Sequence, residues 1–148
     1  MSLEKLTQDK VVVKERVSTW DEAIREASQP LLEQGFFNVS YVDAMIESVK
    51  SLGPYIVIAP EIAIAHARPS KDVYDIGISL LKLNQPINFG ENSHYARLIF
   101  VISAIDHQAH LGILQDLAHI LGDTEIVKEL LACQNADEIL GTLRGGNK

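Results

Sequence analysis

The residues best suited to chemistry lie between Gly53 and Ser70, where GPYIVIAPEIAIAHARPS delivers His66 and, two residues on, Arg68. An imidazole is a nucleophile near neutral pH, and a guanidinium grips phosphate oxygens in bidentate fashion. The pair therefore suits work on an anion. Spacing alone favours a partly buried histidine at a strand end beside a solvated arginine. Four other histidines bear on that choice: His94, His107, His110 and His119. His94 sits in a polar turn and His119 away from the apolar stripe of a helix, so both read as solvated. His107 and His110 bracket a helix start just after an apolar run, a common place for functional side chains. Their i, i+3 spacing sets them close together on one turn.

Several chemistries lack their parts. His66, His107 and His110 could make an open zinc site, the basis of a zinc-dependent hydrolase, yet no HExxH pair or cysteine ligand accompanies them. There is no G-x-S-x-G elbow, P-loop or G-x-G-x-x-G, which removes support for a serine hydrolase and for nucleotide binding. Cys133, beside Leu130 and Leu131, reads as a small core residue. A strand-end histidine, a helix-start histidine and an arginine remain. They fit reversible phosphoryl transfer through a phosphohistidine, in which positive charge and hydrogen bonds stabilise the equatorial oxygens. No cofactor and no metal is needed if the donor is itself a phosphorylated protein.

The elements must hold those residues together. The 148 residues suit one domain spanning 1–148, with an ordinary apolar share of 47% and a charged share of 22%. The net charge of −7, without a lysine or arginine stripe, argues against nucleic acid as a partner and is compatible with a basic protein surface. No apolar run of about 18 residues and no signal-like start is visible, so no membrane insertion is expected. The lone Cys133 suits a reducing cytoplasm. A homodimer is left open.

Val11–Val13 opens a strand that Val17 could resume. Thr19 with Glu22, or Ser18 with Asp21, caps a helix with Trp20, Ile24, Ala27 and Leu31 on one face; Pro30 should kink or split it, and Gly35 stop it. Ser40 with Asp43 opens a second helix, closed by Gly53-Pro54. Tyr55–Ala59 and Ile62–Ala65 read as buried strands around a Pro60-Glu61 break. Val73–Leu83 alternates as a strand, Asn84-Gln85-Pro86 and Asn88–Ser93 read as turns, and Leu98–Ile105 as a central strand. A helix follows from about Ala109, with Leu111, Leu114, Leu117, Ile120 and Leu121 inward and Gly122 at its end. Asp123 or Thr124 caps another to about Cys133, and Asn135 with Glu138 a last one ending near Gly145-Gly146. Helices before and after a buried mixed sheet predict a three-layer α/β/α domain, with chemistry at strand ends.

IAPEIAIAHA (Ile58–Ala67) resembles the active-site signature of the mannitol/fructose-type enzyme IIA (EIIA) domains of the bacterial phosphoenolpyruvate-dependent sugar phosphotransferase system (PTS), and HLGILQDLAHILGD (His110–Asp123) is similar to the helix bearing that family's second active-site histidine. The run GPYIVIAP with HARP looks most like the ascorbate branch. The resemblance implies the mannitol-type EIIA fold. It also implies that His66 accepts a phosphoryl group from the phosphocarrier HPr and passes it to a cysteine of the cognate EIIB, beside a membrane EIIC. His110 would then stabilise the phosphoryl group, with His107 its rival one turn earlier, and Arg68 would be a phosphate ligand. Two positions depart from the pattern: Ala65 stands where the wider family carries proline, and Ser48 about where mannitol-type members carry an arginine. A regulatory module of the same fold, acting on a transporter or transcription factor, is the rival role; transfer to an EIIB cysteine separates the two.

Overall fold

The computed structural model describes residues 2–90 and 94–145. Two short 3-10 turns, Ser2–Lys5 and Gln8–Lys10, lead into β1 (Val11–Lys14). Then come α1 (Trp20–Glu33), α2 (Val39–Leu52), β2 (Val57–Ala59), β3 (Glu61–Ala65), β4 (Gly77–Asn88), β5 (Tyr95–Ser103), α3 (His107–Leu121), α4 (Thr124–Ala132) and α5 (Ala136–Gly145). The sheet order is β1-β4-β5-β3-β2. β1 runs parallel to β4 and β3 parallel to β5, while β4–β5 and β2–β3 are antiparallel.

Alternation along the strands builds both outer layers. Leu81, Leu83, Ile99 and Val101 face α1 and α2, where they meet Ile24, Leu31, Tyr41 and Met45. Their neighbours Ile78, Leu80, Leu98, Phe100 and Ile102 face the other way, against Ile113, Leu117, Leu130 and Ile139 of α3 to α5. The result is the expected three-layer α/β/α arrangement around a mixed sheet. Successive strand residues point to opposite faces, so a segment buried on both sides is apolar without a break, as residues 98–102 of β5 are.

Caps set where the helices start. Thr19 accepts a hydrogen bond from Glu22 N, and the Glu22 carboxylate accepts one from Ser18 N. α2 begins earlier than expected, because Asn38 and not Ser40 is the cap: its side-chain oxygen accepts from Ser40 N at 2.9 Å. Pro30 does not split α1; the helix runs through it to Glu33. A proline nitrogen leaves the carbonyl four residues back, that of the partly exposed Glu26, without its helical donor. The next carbonyl, Ala27 O, also accepts from Ser79 Oγ at 2.6 Å, which ties this part of the helix to β4.

The strands depart from expectation in three places. Val17 does not resume β1. β2 starts at Val57 and, as an edge strand, leaves Ile58 48% exposed where a buried segment was expected. Asn84-Gln85-Pro86 is no turn but part of β4, at an irregularity between Lys82 and Ile87 that tolerates a residue without an N–H. Part of the expected Asn88–Ser93 turn, residues 91–93, lies outside the described residues, as does Gly146. In α3 the start is His107, and Ile113 takes the inward place while Leu111 faces solvent.

Candidate active site

β3 and α3 supply the two central side chains. β3 lies beside β5, with Ala65 opposite Val101, and His66 is the first residue beyond its end. α3 starts next to it because Asp106 caps the helix: its carboxylate accepts from Ala109 N at 2.8 Å and its carbonyl from His110 N at 3.1 Å. The His66 and His110 rings then meet edge to face, centroids 5.2 Å apart at 62°. Tyr55 packs against His66, at 5.5 Å and 82°, and its hydroxyl donates to the His66 carbonyl at 3.2 Å.

The ring nitrogens are differentiated by their partners. His66 Nδ1 lies 2.7 Å from the Ile64 carbonyl oxygen. A carbonyl can only accept, so Nδ1 carries the hydrogen and Nε2 keeps its lone pair. His110 Nε2 is buried and has no hydrogen-bond partner among the described residues. Burial pushes the His110 pKa below the ordinary histidine value, and the nearby His66 and His107 lower it further. His110 is therefore neutral at pH 7, a dipolar partner and not a fixed charge.

The backbone beyond His66 is held from α2. Tyr41, 2% exposed, accepts from Ala67 N at 3.2 Å and donates to the Ile102 carbonyl at 2.9 Å. Burial pushes its phenol up to about 12, so the hydroxyl stays protonated. Five residues downstream of Ala67, Asp72 meets the other end of the clamp: Asn38 Nδ2 donates to its carboxylate at 2.9 Å and Asn38 N to its carbonyl at 3.0 Å.

Not every expected residue joins this group. Arg68 is exposed and makes no hydrogen bond or ion pair among the described residues. His107 is exposed at the start of α3, and the ring in contact with His66 is that of His110. His94 is not simply solvated, since its Nδ1 is buried and has no hydrogen-bond partner among the described residues. His119 is exposed, and Cys133 is buried as read. Among the described residues no three His, Cys, Asp or Glu side chains are placed to hold a metal ion. Tyr41 and Tyr55 escaped sequence reasoning. Tyr41 falls at helical spacing with Met45 and Val49, which reads as core, and Tyr55 opens an apolar run.

The family model for the "Phosphoenolpyruvate-dependent sugar phosphotransferase system, EIIA 2" matches residues 4–145. The chain belongs to this EIIA family. It is thus a phosphotransferase, the EIIA component of a sugar PTS. The mannitol-specific cryptic phosphotransferase enzyme IIA component of Escherichia coli is 32% identical over 127 residues, 86% of each chain. The solution structure of the enzyme of that name superposes with a TM-score of 0.88 at 28% identity, covering 96% of this chain and 97% of that one. The ascorbate-specific PTS system EIIA component of Salmonella typhimurium is 32% identical over 126 residues, 83% of this chain and 81% of that one. A third relative, the mannitol enzyme IIA of Escherichia coli, was solved in complex with phosphorylated mannitol enzyme IIB. It matches with a TM-score of 0.85 at 27% identity, over 95% of this chain and 98% of that one. No helix among the described residues is long and apolar enough to cross a membrane.

Proposed function

We propose that this EIIA takes a phosphoryl group from phospho-HPr onto His66 Nε2 and passes it to a cysteine of a cognate EIIB, in the cytoplasm, for uptake of L-ascorbate or a related sugar through EIIC. The observation that carries the assignment is the 2.7 Å contact of His66 Nδ1 with Ile64 O, which leaves Nε2 as the ring's reactive atom beside His110. In the first step the Nε2 lone pair attacks phosphorus, the bond from phosphorus to the HPr histidine breaks, and its electron pair returns to that histidine. In the second, a thiolate of EIIB attacks, the P–Nε2 bond breaks and His66 recovers its lone pair. In-line transfer of this kind asks the protein for position and charge stabilisation, not for covalent help. The His110 ring, its centroid 5.2 Å from that of His66, lies beside the reacting ring, and Arg68, exposed and without a hydrogen bond or ion pair among the described residues, is free to turn toward phosphoryl oxygens.

The sugar is argued from the chain's own run GPYIVIAP and HARP, which looks like the ascorbate branch; the mannitol and ascorbate relatives stand equally near at 32%. Incubation with phosphoenolpyruvate, enzyme I and HPr should give one acid-labile phosphate per chain, absent from His66→Ala. Labelling of His66→Ala at the wild-type level would sink the assignment. Single-turnover transfer from the labelled chain should be faster to an ascorbate-type EIIB than to a mannitol-type one. The reverse order would reassign the sugar, and transfer to neither would favour a regulatory role.

A further inference from the structure

β3 and β5 stop pairing directly at Ala65 and Val101, one residue before His66. In a parallel ladder extended by one more rung, the Ala67 N–H would reach the Ile102 carbonyl. Here the Tyr41 hydroxyl stands between those two groups, accepting from Ala67 N at 3.2 Å and donating to Ile102 O at 2.9 Å. Ala67 O lies 3.4 Å from the same hydroxyl. One side chain from α2 thus spans the gap where the strands part, and His66 is the residue in the parting.

We propose that Tyr41 is a positioning residue for phosphoryl transfer: its hydroxyl sets the separation of β3 and β5 at His66, and thereby fixes the imidazole with Nδ1 on Ile64 O and Nε2 presented for attack. This rests on His66 being the phosphoryl acceptor. The anchor is stiff for three reasons. The ring is buried, it packs on Phe37 at a centroid distance of 4.9 Å, and the hydroxyl is satisfied in both its roles. A proline at position 65 would restrict the same stretch of backbone through φ; Ala65 imposes no such limit. The tether through Tyr41 restrains the chain one residue past His66 instead.

Tyr41→Phe tests this, since it keeps the ring and its packing and removes only the hydroxyl. Far-ultraviolet circular dichroism should confirm an unchanged fold. The deciding readout is the tautomer of His66, seen through nitrogen-to-carbon-bound-proton couplings in nuclear magnetic resonance of the whole chain. Wild type should show hydrogen on Nδ1 alone, and Tyr41→Phe a mixture of tautomers. Phosphorylation by phospho-HPr should slow about tenfold in kcat with KM for phospho-HPr changed less than about twofold, because misplacement acts on the reacting ring and not on docking. A pure Nδ1–H tautomer in Tyr41→Phe overturns the proposal whatever the rate does. So does a mixed tautomer in Tyr41→Phe with a kcat equal to that of a wild-type chain that phosphorylates. If the wild-type chain takes no label at all, the phosphoryl-acceptor reading fails instead, and the tautomer comparison still decides whether Tyr41 positions the ring.

Discussion

A histidine with one nitrogen tied to a main-chain carbonyl has one nitrogen left to react, and the neighbours then decide how well it does so. His110 packs against it, neutral and with a buried Nε2 that has no partner among the described residues. His110→Ala should slow single-turnover phosphorylation on the order of a hundredfold, the usual scale for losing one well-placed donor. An unchanged rate would shift the role to His107. The same ring gives a stability signature. Its folded pKa is lowered, mainly by burial, so below the ordinary histidine pKa the unfolded chain binds a proton that the folded chain resists. Stability is complete above that value and is lost as pH falls toward the folded one. His110→Gln should therefore flatten the acid side of a thermal-midpoint profile in that window; a superimposable profile would acquit His110. At this scale the sequence showed the strand-end and helix-start histidines well, because residue type and punctuation mark them. It could not show Tyr41, whose hydroxyl matters while its ring obeys the spacing of a core residue. Nor could it settle Arg68, since nothing in a sequence says where an exposed guanidinium points.

Elements position these residues through their irregularities as much as through their regular parts. Glu61 starts β3 with φ of 74°, a left-handed conformation that favours glycine. Its carboxylate meets Arg97 Nη2 at 2.6 Å, and Arg97 sits where β5 skips a residue against β3. Left-handed backbone costs about 1 kcal/mol or more in a residue with a Cβ, and the ion pair offsets part of that. Glu61→Gly alone should change stability little, since strain relief and loss of the pair oppose each other. In an Arg97→Met background it should stabilise by about 1 kcal/mol in urea unfolding. Equal effects in both backgrounds would show that the pair and the strained turn are independent. The order of elements was legible because apolar period and helix caps repeat along the whole chain. Asn84-Gln85-Pro86 was not, because a strand irregularity admits the same residues as a turn. Pro30 misled for a related reason: the broken helical bond falls at a partly exposed residue beside a carbonyl that has a second partner in Ser79.

For the molecule as a whole, Lys82 is the charged side chain buried in the sheet among the described residues, 1% exposed, with Nζ donating to Asn84 Oδ1 at 2.8 Å. Asn84 and Gln85 in turn donate to the Glu15 carboxylate, which those bonds hold below the usual carboxylate range. Burial, followed by Arg97, lowers the Lys82 pKa. The folded chain therefore resists a proton that the unfolded chain accepts, and this penalty fades as pH rises toward the free lysine value. Lys82→Met, of similar length, should stabilise by about 1 kcal/mol near pH 7 and by less at alkaline pH. Destabilisation at pH 7 would mean that the Asn84–Glu15 chain outweighs desolvation. The sheet's outline has a different consequence. Its two borders are its shortest strands, β1 with 4 residues and β2 with 3. Such borders make poor templates for a foreign strand, which guards a protein against edge-to-edge aggregation. They also dictate the manner of any encounter at His66: a visitor must dock by its side chains and leave again, because the sheet gives it almost no backbone to zip onto.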